Sequence, residues 1–176
     1  MNTAELLIEG YGRIAQEVGS VLDGLGGADD PVLTHRIDPE ANTVAWLIWH
    51  LARVQDDHLA GVAGSEQVWT AQGFAERFGL PFDDAEIGYG QDAADVAQVR
   101  VAAADLKAYH RAVHERSVEY LGGLIDHDLD RVVDRNWDPP VTLAVRLVSV
   151  LSDCLQHVGQ AAFLRGIVER TARAGR

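Results

Sequence analysis

Two residues in the last third of the chain have the types and spacing of metal ligands. Asp153 and His157 stand four apart in an apolar stretch, residues 147–165, reading LVSVLSDCLQHVGQAAFLR. On a helix they would lie one above the other on a single face. A carboxylate and an imidazole so placed can give two donors to one divalent ion. A third donor, His50, stands in the other strongly apolar stretch, residues 43–62, TVAWLIWHLARVQDDHLAGV. Two histidines and a carboxylate fill three positions of a tetrahedral ion and leave the fourth open, which is the arrangement of a catalytic site. The open position could hold water, whose pKa falls toward ~7 there, or a thiolate, which a metal keeps deprotonated near neutrality. Spacing alone also allows a plainer reading, in which Asp153 simply pairs with His157 or Arg146. Either arrangement meets the same need, because a buried carboxylate left alone is costly or takes up a proton.

Other residues are weaker candidates. His110 and His114 share the same four-residue spacing, but they are expected on a polar helix edge. His58 lies about 80° around the helix from His50 and is either an alternative ligand or a partner of one. Asp57, seven residues beyond His50 and nearly aligned with it, is expected to hold the free nitrogen of that imidazole. His35 and His127 fall in loops. The single cysteine, Cys154, sits on the apolar side and reads as packing. Ser152 cannot join Asp153 in a triad, since helix neighbours point in different directions. There is no P-loop, no G-x-G-x-x-G after a strand and no G-x-S-x-G.

The elements that must position these side chains read as helices. Leu7, Tyr11, Ile14, Val18, Val21 and Leu25 recur at steps of three and four, predicting a first helix from a cap at Thr3 to about Leu25. Gly24, Gly26 and Gly27 end it, and residues 28–40, with Pro31 and Pro39, form a connecting loop. A second helix covers residues 43–62, its stripe made by Val44, Leu47, Ile48, Leu51 and Val62, with His50 at the edge. Residues 65–94 are irregular, with short helices expected near 69–78 and after Asp92 or Asp95. A third long helix runs over about 103–124. Residues 125–140 are loop, because Asp138-Pro139-Pro140 forbids helix there. No alternating strand pattern stands out. In the last helix Leu143, Leu147, Val150, Cys154, Val158 and Ala161 make one apolar face, with Arg146, Asp153, His157 and Gln160 on its flank. The expected architecture is all-α: a four-helix bundle, one domain over residues 1–176, with a long partly structured loop insertion between the second and third long helices. That insertion carries Trp69, Phe74, Phe78, Phe82 and Tyr89, enough aromatic surface for a lid over a pocket or a cover for a second copy of the chain. A homodimer is therefore expected through it.

Composition bounds the function. The net charge is −12, a surface sign that repels phosphate backbones and sets nucleic acid aside as a partner. No apolar run approaches the ~18 residues of a membrane span, and the first ten residues lack the pattern of a secretory signal. With one cysteine no internal disulfide can form, so a cytoplasmic location is expected. Of the 15 basic residues only Lys107 is a lysine, a bias that points to a GC-rich genome.

The sequence WLIWHLARVQDDH, followed about a hundred residues later by DCLQHVGQAAFLRG, resembles the DinB-like superfamily. It is closest there to the actinobacterial thiol-dependent branches, including the maleylpyruvate isomerase-like branch. The resemblance covers nearly the whole chain and implies a four-helix bundle with a metal held by three side chains. Carried over, these are His50 from the second helix and Asp153 and His157 from the last. Histidine is usual where Asp153 stands, and glutamate occurs in the isomerase-like branch, so a carboxylate is compatible with the pattern. The metal implied is zinc first and nickel next. The function implied is a metal-dependent transferase or isomerase that uses a low-molecular-weight thiol of the mycothiol type and acts on a small molecule. In that reading Arg146 or Arg53 would hold an anionic substrate group, and Gln160 would steady a ligand or the cosubstrate. A non-catalytic binding protein on the same fold, or a metal-dependent hydrolase sharing the site, are the alternatives.

Overall fold

A computed structural model describes residues 1–175 of the chain. Helix α1 (Thr3–Leu22) is capped one residue earlier than expected: the Asn2 side chain accepts from the Glu5 amide, and the Glu5 carboxylate accepts from the Asn2 amide. This reciprocal pairing satisfies two of the free amides at a helix start. In the connection that follows, Asp30 caps a single turn, α2 (Pro31–Thr34), where the sequence predicted only loop. Its proline at the first position suits a helix start.

Helix α3 (Val44–Ala63) is capped by the Thr43 hydroxyl and closed by Gly64 at φ 68°, a conformation for which glycine has no steric penalty. Its first thirteen residues, Val44 through Asp56, are all buried. The helix is therefore central, and the expected single stripe with His50 at the edge is corrected. A helix walled in on every side has no edge.

The insertion is more regular than a loop. It contains α4 (Val68–Ala71), α5 (Phe74–Phe78) and α6 (Ala93–Gln98), the last capped by Asp92. Asp56 of α3 starts α4 by accepting from the amides of Val68 and Trp69, each at 2.8 Å. Trp69, Phe74 and Phe78 meet Tyr109 with ring centroids 5.0–5.8 Å apart. These aromatics cover their own bundle.

Helix α7 (Ala103–Gly122) and the 32-residue α8 (Leu143–Ala174) complete the long elements. Between them a 3-10 turn (Asp126–Asp130) leads into an antiparallel ribbon of β1 (Val132–Asp134) and β2 (Val141–Thr142). Strands of three and two residues are too short to show an alternation, which is why the sequence read as loop. In the bundle α1 packs on α7 and α8, and α3 packs on the same two. Thus α1 lies diagonally from α3, with α3 and α8 sharing the most extensive contact. Tyr11 of α1, fully buried, donates to the Leu147 carbonyl of α8 at 3.0 Å. No helix among the described residues is long and apolar enough to cross a membrane.

Candidate metal centre

The α3–α8 contact brings His50, Asp153 and His157 together, with one donor atom from each within 4.8 Å of the others. Both imidazoles are oriented through Nδ1. The Ile87 carbonyl can only accept, so His50 Nδ1 donates to it. His157 Nδ1 lies 3.1 Å from Gln160 Oε1 and donates there. Each ring is thus left with Nε2 as its donor, the pattern by which outer groups fix a metal-binding histidine. His157 Nε2 stands 3.6 Å from Asp153 Oδ1, and the two rings are 4.8 Å apart between centroids, nearly perpendicular. Trp46 stacks on His50 at 4.6 Å and 14°, closing one side.

Asp153 Oδ2 is buried without a hydrogen-bond partner. A buried carboxylate oxygen is expensive to leave unpaired, and a cation between it and the two imidazoles would remove that cost. The donor set of two nitrogens and an oxygen suits zinc or nickel, so the residues present fit a divalent metal.

The charges agree with this geometry. Burial lowers the His50 pKa, only partly offset by the Ile87 hydrogen bond and Asp153. Burial would raise Asp153, but its hydrogen bond to His157 and the charges of His157, His50 and His58 outweigh it and hold the carboxyl low. The hydrogen bond that His157 donates to Asp153 raises the His157 pKa, against the pull of burial. Of the two imidazoles, His157 therefore takes up a proton more readily than His50.

The segment over the site rests on a glycine. Gly88 has φ 101°, and a Cβ there would fall 2.5 Å from His50 Nδ1 and 3.1 Å from Trp46. Only a residue without a side chain lets the Ile87 carbonyl reach His50. Gln91 accepts from Trp46 Nε1 at 2.7 Å and clips the far end. Between Gly88 and Gly90, Tyr89 stands edge-on to His50 at 5.3 Å and feels the charges of Asp153 and Arg146. The sequence placed an aromatic ring, Tyr89, in this insertion. The paired glycines around Tyr89 were the missed signal of a close approach.

The other candidates fall in different places. Arg146 bonds Asp134 at 3.1 Å and His58 Nδ1 at 3.3 Å, lining an open groove of about 540 Å³ with Asp57, Arg131 and Asn136. Burial and the Arg146 charge lower the His58 pKa. His58 is not one of the three converging donors. Asp57 does not hold His50: it accepts from Gln67 at 2.9 Å and lies 3.5 Å from His58. Alignment on one face ignored the rise, since seven residues are ~10 Å along the axis. Arg53, fully buried, bonds Gln67, Tyr109 and the carbonyls of Asp84 and Glu86. Its guanidinium is spent on the insertion and is not presented to a substrate. His110 is likewise corrected. It is buried rather than on a polar edge, its Nε2 has no partner, and burial, then His114, push its pKa to about 3. Cys154 is buried in the core, where burial pushes its thiol pKa up.

A model of a family described as mycothiol-S-transferase matches residues 12–170. The chain is also similar to a crystal structure of a conserved protein from Enterococcus faecalis. The two are 30% identical, with 94% of this chain and 96% of that chain covered and a TM-score of 0.85. No curated protein matches.

Proposed function

Since the chain belongs to the mycothiol-S-transferase family of DinB-like proteins, we propose that it is a metal-dependent enzyme using a thiol of the mycothiol type to transfer or isomerise a small molecule. The observation that carries this reading is the convergence of two oriented imidazoles on a carboxylate whose second oxygen has no partner. His50, Asp153 and His157 would hold the metal, probed first as zinc and then as nickel. When bound, the metal supplies a Lewis acid that keeps a thiol deprotonated near neutrality. The chain does the rest. Ile87 and Gln160 fix the rings, and Trp46 keeps water from the His50 side. His58 accepts from Arg146 through Nδ1 and helps to hold that side chain in the groove. Arg146 offers its charge to an anionic group of the acceptor molecule. The reducing cytoplasm of a GC-rich actinobacterial cell would suit both a thiol cosubstrate and the arginine-rich composition.

The test uses untagged protein and cobalt(II), whose spectrum reports its ligands. Stoichiometric cobalt binding, with a sulfur-to-metal charge-transfer band on adding mycothiol, is expected, and His157→Ala should lose both. A protein that takes up no cobalt, zinc or nickel at neutral pH has no metal site. A cobalt site blind to mycothiol that cleaves activated esters without it would instead be a hydrolase.

A further inference from the structure

The outer face of α8 is free of charge over most of its length. Between residues 145 and 163 every solvent-exposed position is apolar, small or amide. The only charged residues in that stretch, Arg146 and Asp153, are turned toward the groove and the metal centre. Helices α1 and α7 present ion pairs to water, such as Arg13 with Glu9 and Arg111 with Glu115. On α8 Val145, Val148 and Phe163 are more than half exposed and Leu155 is 41% exposed. In a chain of net charge −12, so long a neutral face departs from the rest of the surface. Depletion of charge at the centre of a patch marks contact surfaces.

The spacing says what kind of contact. Val145, Val148, Ser152, Leu155, Gly159 and Ala162 follow one another at steps of three, four, three, four and three. They form one continuous stripe along the helix, a shape that a second helix lying alongside can cover. None of these residues is needed by the bundle's own core, which uses Leu147, Val150, Cys154, Val158 and Ala161. A Cβ on Gly159 would meet nothing within 4 Å in its own chain, so the fold does not itself ask for glycine there. A helix laid across this point would. Leu6, one turn from Gly10 on α1 and 60% exposed, extends the apolar surface where Gly10 meets Leu151.

We propose that this face of α8 is the homodimer surface, with α8 of a second copy as its occupant, related by a two-fold axis. Charge selects that partner. A basic partner would be drawn to the acidic surfaces elsewhere, whereas two copies of charge −12 repel one another except where they meet through uncharged residues. A two-fold axis across one helix places the same stripe on both sides, as an isologous contact requires. The aromatic insertion offers less, because Trp69, Phe74 and Phe78 pack within the chain and of its five aromatics Tyr89 is the one left largely exposed. This inference stands independently of the metal.

Light scattering on the full chain tests it. The wild type is expected at twice the 19.1 kDa chain mass. Leu155→Glu, which would set two carboxylates against the partner's stripe, is expected to halve the mass while leaving the far-ultraviolet circular dichroism unchanged. Ile125→Glu, at an exposed apolar residue off this face, is expected to keep the dimer. A wild type that stays monomeric at every workable concentration overturns the proposal. So does a dimer that survives both Leu155→Glu and Ala162→Glu.

Discussion

Arg53 and Asp56 on α3 face α7 and the insertion, while His50, one turn earlier, faces α8. Both clusters are polar and centred on a carboxylate, the first buried and the second only partly so, and they are finished differently. Asp56 accepts from two backbone amides and from the Tyr109 hydroxyl, each at 2.8 Å, with Arg53 at 3.8 Å. Arg53 in turn spreads its donors over two carbonyls, Gln67 and Tyr109. Nothing is left for a ligand to satisfy, so this cluster fastens the insertion to the bundle. At the other cluster the outer nitrogens of both histidines are tied down, while one donor atom from each of the three residues lies within 4.8 Å of the others and Asp153 Oδ2 is buried without a partner. A polar cluster that only holds a fold together closes on itself, and one that binds leaves a defined set of atoms unsatisfied.

The comparison breaks most sharply by substituting the two carboxylates in turn. Asp56→Asn leaves the fully buried Arg53 guanidinium opposite a neutral amide, a loss of ~3–5 kcal/mol by analogy with halving a buried ion pair. Its metal affinity should remain. Asp153→Asn in metal-free protein should change stability by ~1 kcal/mol or less, and should weaken zinc binding at least tenfold. Urea unfolding and zinc titration of both variants check this. If Asp153→Asn destabilises as much as Asp56→Asn and leaves zinc binding alone, the two clusters are of one kind.

The glycines on either side of the site sharpen the contrast further. Gly88→Ala would drive a methyl into His50 Nδ1 and lift the Ile87 carbonyl off the ring. Loss of such an outer hydrogen bond typically costs ~10–100-fold in metal affinity. Gly61→Ala, on α3 itself but with open space around it, should raise stability by up to ~1 kcal/mol and leave affinity unchanged. Equal zinc affinity in the two variants would show that the segment from Ile87 to Gln91 does not position His50.

What the sequence revealed follows the same division. Helical spacing places side chains on faces, so His50, Asp153 and His157 could be brought together on paper, as could the four-helix architecture. Spacing says nothing of partners that come from irregular chain. Arg53 looked like a substrate anchor because its acceptors, Gln67 and the carbonyls of Asp84 and Glu86, lie in the insertion. Asp57 was assigned to His50 because the group that holds that ring, the Ile87 carbonyl, is backbone and has no residue signature. His110 was placed at an edge because apolar residues alone were used to draw the stripe, although a neutral imidazole can be buried with them. The ribbon of β1 and β2 escaped because its strands are shorter than one full alternation.

The last expectation concerns pH, and its sign follows from His157. The pKa of that ring is raised above 6.5, chiefly by the hydrogen bond to Asp153. In metal-free protein its protonated form therefore contributes stability that is fully present below ~6.5 and is lost as pH rises through the folded value. A metal needs the same nitrogen unprotonated. Affinity should thus begin to fall at a higher pH than an ordinary imidazole would dictate, by about tenfold per unit while one proton is displaced. His50, whose pKa is lowered by burial, adds little to this onset. The stabilisation that zinc gives should accordingly grow with pH, because the competing proton is leaving while the stability it lent is lost. Melting temperatures with and without a chelator, taken across neutral pH, measure the difference directly. Asp153→Asn removes the main cause of the raised pKa, so any residual dependence should shift toward lower pH. A zinc-induced rise in melting temperature that is flat across this range would mean that His157 holds no proton the metal must displace. In that case the open cluster does not bind through this ring.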